Sequence, residues 1–265
     1  MKPHFKIALL YFFFGALWIF FSDLIVENVF HTPQELTFVQ NIKGWLFIAV
    51  TGSALFVLIK KAMDEKSAIN KKLIDSYEQT IYGWIKVMDL RNQETKDHTT
   101  RVAKMTVELS KYLGITDTEE LKKIETSAIL HDVGKIGIPD SILIKPGALT
   151  KEEFEVIKTH PQIAYDILHD IDYLKNCIDI PYCHHEKWNG EGYPRGISGK
   201  DIPVAARIFA VIDVWDALSH SRVYKDAWPE AEVLTYIEER SGIQFDPNIV
   251  KVFLNNYQSI TKCVV

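Results

Sequence analysis

From about Ile7 to Val26 the chain is almost wholly apolar, beginning Ile7-Ala-Leu-Leu-Tyr-Phe-Phe-Phe-Gly-Ala-Leu-Trp-Ile-Phe-Phe. A helix of about 20 such residues crosses the hydrocarbon core of a bilayer, and no packed core of ordinary size needs so uniform a run. A second run, from about Gly44 to Ile59, reaches that length only with its flanks. The expectation is a two-span hairpin over residues 1–61, in contact with membrane lipid. A cleaved leader fits less well, because the apolar part is too long and no small-x-small site follows Val29-Phe30-His31. Lys2 and Lys6 precede the first run, and Lys60, Lys61, Lys66, Lys71 and Lys72 follow the second. The connection holds Glu27, Glu35 and only Lys43. Cytoplasmic segments are the lysine-rich ones, so both ends are expected in the cytoplasm, with the protein in the inner membrane. Asp23, near the end of the first run, reads as an interfacial carboxylate.

Beyond Lys60 the composition turns polar, with Ile69, Leu73, Ser76 and Thr80 at three- and four-residue spacing. This predicts a helical stalk over residues 62–81 whose narrow apolar seam could pair with a second copy as a homodimer. From Tyr82 onward, residues 82–265 read as one helical domain. Val102, Met105, Leu109 and Leu113 form a stripe closed by Gly114. Asp117-x-x-Glu120 and Thr150-x-x-Glu153 read as capping boxes. Ala205 to Leu218, with Pro203 near its start, predicts a central buried helix. No long stretch alternates with period two, so the fold class is all-α, a helical bundle behind a transmembrane hairpin and stalk. The net charge of −5 argues against binding long nucleic acid. The three cysteines, Cys177, Cys183 and Cys263, are odd in number and fall in the part assigned to the cytoplasm, which argues against a disulfide framework. Cys183 borders His184 but reads as a buried structural thiol.

Ligand-type side chains recur along this helical part: Glu94 and His98, His131 and Asp132, His160, His184 and His185, and Asp213. Glu94 and His98 are four apart and on a helix would share a face. Asp213 interrupts the apolar run Ile208-Phe-Ala-Val-Ile-Asp-Val-Trp, where a carboxylate is costly unless paired or bound to a metal. Oxygen donors mixed with imidazoles suit iron, manganese or zinc, and the lack of clustered thiolates argues against a structural zinc site. So many ligands exceed the needs of one ion, and a carboxylate such as Asp132 can bridge two. Paired ions of this kind serve phosphoryl chemistry, so a metal-dependent phosphodiesterase is expected.

The motifs Glu94-Thr-x-x-His98-x-x-Arg101-Val, His131-Asp-x-Gly-Lys135, Ile138-Pro-Asp with Lys145-Pro-Gly, His160-Pro161, the run from His184-His185-Glu186 to Gly190-x-Gly192-Tyr193-Pro194, and Asp213-x-x-Asp216-Ala-Leu occur in order. Over about Tyr82 to Phe253 the chain thereby resembles the HD-GYP phosphodiesterases, which hydrolyse the bacterial second messenger cyclic di-GMP. The resemblance implies an HD-type bundle in which His98, His131, Asp132 and Asp213 hold one metal and His160, His184 and His185 complete a second. Glu94 matches a glutamate that goes with a third. Two or three divalent ions are therefore expected, iron first and manganese as the alternative. Asp132 and Lys135 are the expected catalytic residues, with Lys135 holding a phosphate oxygen. Tyr193 and Pro194, on the loop made tight by Gly190 and Gly192, and the basic pair Arg222 and Lys225 are the expected substrate contacts. The Gly-Tyr-Pro loop is also a candidate surface for a protein partner. The products would be linear pGpG and, with further cleavage, GMP. Two rivals are a cyclic di-GMP receptor without turnover, for which missing ligands would be the sign, and an enzyme acting on another cyclic dinucleotide. The N-terminal hairpin resembles two-span input segments found ahead of bacterial signalling domains.

Overall fold

The computed structural model describes residues 3–92, 98–221 and 226–263. The chain divides into two compact units, Met1–Tyr77 and Glu78–Val265.

The first unit holds α1 (Pro3–Val29) and the beginning of α2 (Pro33–Asn92). Both helices are long and apolar enough to cross a membrane. They meet where Gly15 faces the Phe47 ring, where Trp18 lies 6.0 Å from Phe47, and where Lys43 pairs with Asp23. Most of their other large side chains, Phe12, Phe20, Trp45 and Phe56 among them, face outward. The second apolar run, the stalk and the entry to the helical domain all lie in α2, and Ile69 and Leu73 of the expected seam are exposed.

The second unit is helical, and among the described residues it has no strand beyond one isolated bridge, Ser241 to Phe245. After the end of α2 come α3 (His98–Tyr112), α4 (Thr118–Ile129), a 3-10 turn (Val133–Gly137), α5 (Asp140–Leu143), α6 (Lys151–Ile157), α7 (His160–His169) and α8 (Asp179–Cys183). A second 3-10 turn (Gly199–Asp201), α9 (Val204–Ser219), α10 (Glu230–Glu239) and α11 (Pro247–Lys262) complete it. Local chemistry sets several ends. Gly114, at φ +90, allows the turn after α3, Asp117 accepts the Glu120 N–H at the start of α4, and Thr150 and Glu153 form a full reciprocal box at α6.

Helix α9 is the centre of the bundle and packs against α3, α8, α10 and α11. Ile208, Phe209, Val211 and Ile212 are fully buried, each contributing about 2 kcal/mol of apolar burial. On α3, Val102, Met105 and Leu109 are equally enclosed and Leu113 packs at the edge of the core. The end of α2 joins this core through Ile81 and Ile85, so the apolar faces of α2, α3, α4, α7, α8, α9, α10 and α11 enclose one interior.

Candidate metal centre

The ligand-type residues come from separate elements and converge. His98 opens α3, His131 and Asp132 lie between α4 and the first 3-10 turn, and His160 opens α7. His184 and His185 follow α8, and Asp213 projects from the middle of α9. Two sets form, His98 with His131 and Asp213, and His160 with His184 and His185, each with its ligand atoms within 4.8 Å of one another. Asp132 stands between them. Its Oδ2 is 3.1 Å from His131 Nε2, while its Oδ1 is 3.4 Å from His160 Nε2 and 3.9 Å from His184 Nε2. One carboxylate thus offers a different oxygen to each set.

Four of the five imidazoles are held in the tautomer a metal requires. His131, His160 and His184 turn Nδ1 to the carbonyls of Ala128, Ile157 and Ile180 at 2.9, 2.8 and 3.0 Å, and only an N–H can donate there. His98 Nδ1 faces Asp216 Oδ2 at 2.6 Å. Each Nε2 is left with its lone pair directed inward. His160 Nε2 and His184 Nε2 are 3.3 Å apart, and neither has a proton to give the other. Two facing lone pairs in a buried place fit a shared cation and little else. Burial, with the neighbouring imidazoles, pulls His184 well below its ordinary pKa and His185 to about 3, while burial alone leads the lowering at His160. Burial opposes ionisation of Asp132, but Lys135 and then His131 outweigh it and hold the carboxyl well below the usual range. Neutral imidazoles and ionised carboxylates are what a divalent ion binds.

Lys135 Nζ lies 2.6 Å from Asp132 Oδ2, at the edge of the centre. The Tyr193 ring stacks on His185 with centroids 4.7 Å apart, and Pro194 is half-buried beside it. Glu94, Arg222 and Lys225 lie outside the described residues. Cys183 is in neither ligand set. It packs with Ile202 and Ala206, and burial pushes its thiol up to about 12.

Two supporting carboxylates were given no role by the sequence. Asp216, 1% exposed, binds His98 Nδ1 and takes Arg101 Nε and Nη2 at 2.9 and 3.0 Å. Burial works against its charge, yet His98 and Arg101 bring its pKa down to about 2. A second acid three residues after Asp213 on an apolar helix was the available signal. Glu186 accepts the Arg195 N–H at 2.8 Å and so ties down the far side of the Gly-Tyr-Pro loop. Two glycines permit close approaches. A Cβ on Gly134 would sit 1.9 Å from the His160 carbonyl oxygen, and one on Gly192 would sit 2.4 Å from Glu186 Cα.

Residues 84–249 match the HD domain family. A cyclic di-GMP phosphodiesterase of Thermotoga maritima is 37% identical over 247 residues, 91% of this chain and 66% of that protein. The 3'3'-cGAMP-specific phosphodiesterase 2 of Vibrio cholerae is 35% identical over 187 residues, 70% of this chain and 36% of its own length. In fold, Bd1817, an HDG"Y"P protein from Bdellovibrio bacteriovorus, superposes with a TM-score of 0.51 at 23% identity, covering 61% of this chain and 51% of that one. The chain belongs to the HD domain family, with an all-α bundle like that of HD-GYP proteins.

Proposed function

We propose that the chain is a metal-dependent phosphodiesterase that opens cyclic di-GMP to linear pGpG. The observation that carries this reading is the pair of donor sets sharing Asp132 through different oxygens. Among relatives, the 37% identity to a Thermotoga cyclic di-GMP phosphodiesterase supports the substrate class. His98, His131, Asp132 and Asp213 would hold one divalent ion, and Asp132, His160, His184 and His185 a second, iron or manganese by the donor chemistry. Such ions supply charge to the phosphoryl oxygens and lower the pKa of water. Lys135 neutralises a phosphate oxygen, and its position against Asp132 keeps that cation at the reacting group. Tyr193, braced on His185, forms a wall against which a substrate base or ribose can rest. In this reading α1 and the apolar part of α2 span the inner membrane, and the lysine excess beside them puts the catalytic unit in the cytoplasm.

A second substrate, cyclic GMP-AMP, is favoured by the 35% identity to a 3'3'-cGAMP-specific enzyme of Vibrio. The deciding experiment is anaerobic purification of the chain, metal analysis, and chromatography of cyclic di-GMP, cyclic GMP-AMP and pGpG after incubation. Two ions per chain with preferential loss of cyclic di-GMP are expected. Bound metal with no cleavage of any cyclic dinucleotide would replace the enzyme with a receptor.

A further inference from the structure

The last turn of α2 reaches the segment that carries Asp132 and Lys135. Arg91 Nη1 donates to the carbonyls of Lys135 and Ile136 at 3.1 and 3.2 Å, and Nη2 donates to that of Ile138 at 2.6 Å. Nε donates to Asp140 Oδ1 at 2.9 Å. The Lys135 and Ile136 carbonyls belong to the end of the 3-10 turn Val133–Gly137 and that of Ile138 follows it, where backbone acceptors have few partners within the turn. The Lys135 carbonyl already accepts the Ile138 N–H, so Arg91 shares an acceptor that helps define the turn. A planar guanidinium can serve three diverging carbonyls and a carboxylate together, which a lysine ammonium cannot do in the same geometry. Meanwhile the helix behind Arg91 is fixed, since Ile81 and Ile85 are in the core and Glu78 pairs with Lys122 at 3.0 Å.

We propose that Arg91 is a positioning residue that holds the turn bearing Asp132 and Lys135 in register with the two histidine sets. Arg91 touches neither ligand set. It acts through the backbone of residues 135–138, three positions and more beyond the shared carboxylate. Among the described residues, Arg91 is thus a side chain at the end of α2 that contacts the backbone next to Asp132 and Lys135. The inference rests on the metal-centre reading above.

The test uses the full chain in detergent, as wild type and with Arg91→Lys, Arg91→Gln and Asp140→Asn. Melting, Mn(II) affinity and spin coupling by electron paramagnetic resonance, and kcat and KM for cyclic di-GMP are measured. Both Arg91 variants should fold, bind Mn(II) about tenfold more weakly and lose about tenfold in kcat, with KM within about twofold. Asp140→Asn should stay within about twofold of wild type, because the three carbonyl bonds do not need its charge. Wild-type Mn(II) affinity and kcat in the Arg91 variants would overturn the inference, as would equal losses in Asp140→Asn. Failure of both Arg91 variants to fold would also overturn it, making Arg91 a general stabiliser. If wild type binds no Mn(II), the metal-centre reading itself fails. If wild type binds Mn(II) without cleaving the dinucleotide, the affinities still decide the role of Arg91.

Discussion

Asp132 is shared between two donor sets through different oxygens, so a nearly isosteric change there has a sharp consequence. Asp132→Asn keeps the shape but puts an NH2 group where a lone pair is needed on one side. Metal analysis of the folded variant should find at most one ion per chain, with hydrolysis below detection; undiminished metal would rule out a bridging role. Asp216 should behave differently, because it binds no metal in this reading and orients His98. Asp216→Asn is expected to weaken metal binding by about 10- to 100-fold while leaving the ion count at saturation unchanged. A titration showing a lost ion would move Asp216 into the ligand set. The difference between these two acids explains what the sequence could reveal. His131-Asp132 and His184-His185 advertise themselves as adjacent donors, whereas Asp216 and Glu186 work through a neighbour's ring or a loop's N–H, and that depends on how distant segments meet.

The 3-10 turn Val133–Gly137 lies against α7, and the contact has no spare room. Gly134 stands where any side chain would overlap the His160 carbonyl and the Ala164 amide. Both neighbours are backbone, so the strain of Gly134→Ala cannot be relieved by a rotamer change. The turn must move away from α7, separating Asp132 from His160. We expect Gly134→Ala to lower the melting temperature and to weaken first any ion binding at the set His160, His184 and His185, as metal titration of the soluble fraction would reveal. Unaltered metal binding would mean that the turn and α7 slide without cost. The longer helices were readable because α3 and α9 show their buried faces at helical spacing and α6 shows its cap. Short pieces such as α5 and α8 contain too few residues to show a period, and their existence follows from the packing around them. The Arg91 contacts with residues 135–140 were likewise invisible, since nothing in the local pattern links positions that far apart.

Hydropathy divides this chain before any motif is considered, and α1 and the start of α2 carry the apolar runs. The lysine bias around them yields a topology that a C-terminal reporter can check: a cytoplasmic reporter should be active and alkaline phosphatase silent, and the reverse would make a cytoplasmic dinucleotide an implausible substrate. The donors, by contrast, all lie in the unit Glu78–Val265 and join segments from His98 to Asp213. The folded unit buries the facing Nε2 atoms of His160 and His184 3.3 Å apart, where two lone pairs repel unless a cation lies between them. The unfolded chain would solvate them, so an ion bound there is expected to stabilise the fold. A divalent ion at about 100 times its dissociation constant adds about 2.7 kcal/mol. For a domain of this size that corresponds to a rise in melting temperature of about 5–10 °C. Chelation of residues 62–265, freed of the apolar runs, should therefore lower the melting temperature by the same amount as chelation of the full chain, and Mn(II) should restore it in both. A shift seen in the full chain and absent from the shorter piece would show that the N-terminal helices are needed to assemble the centre.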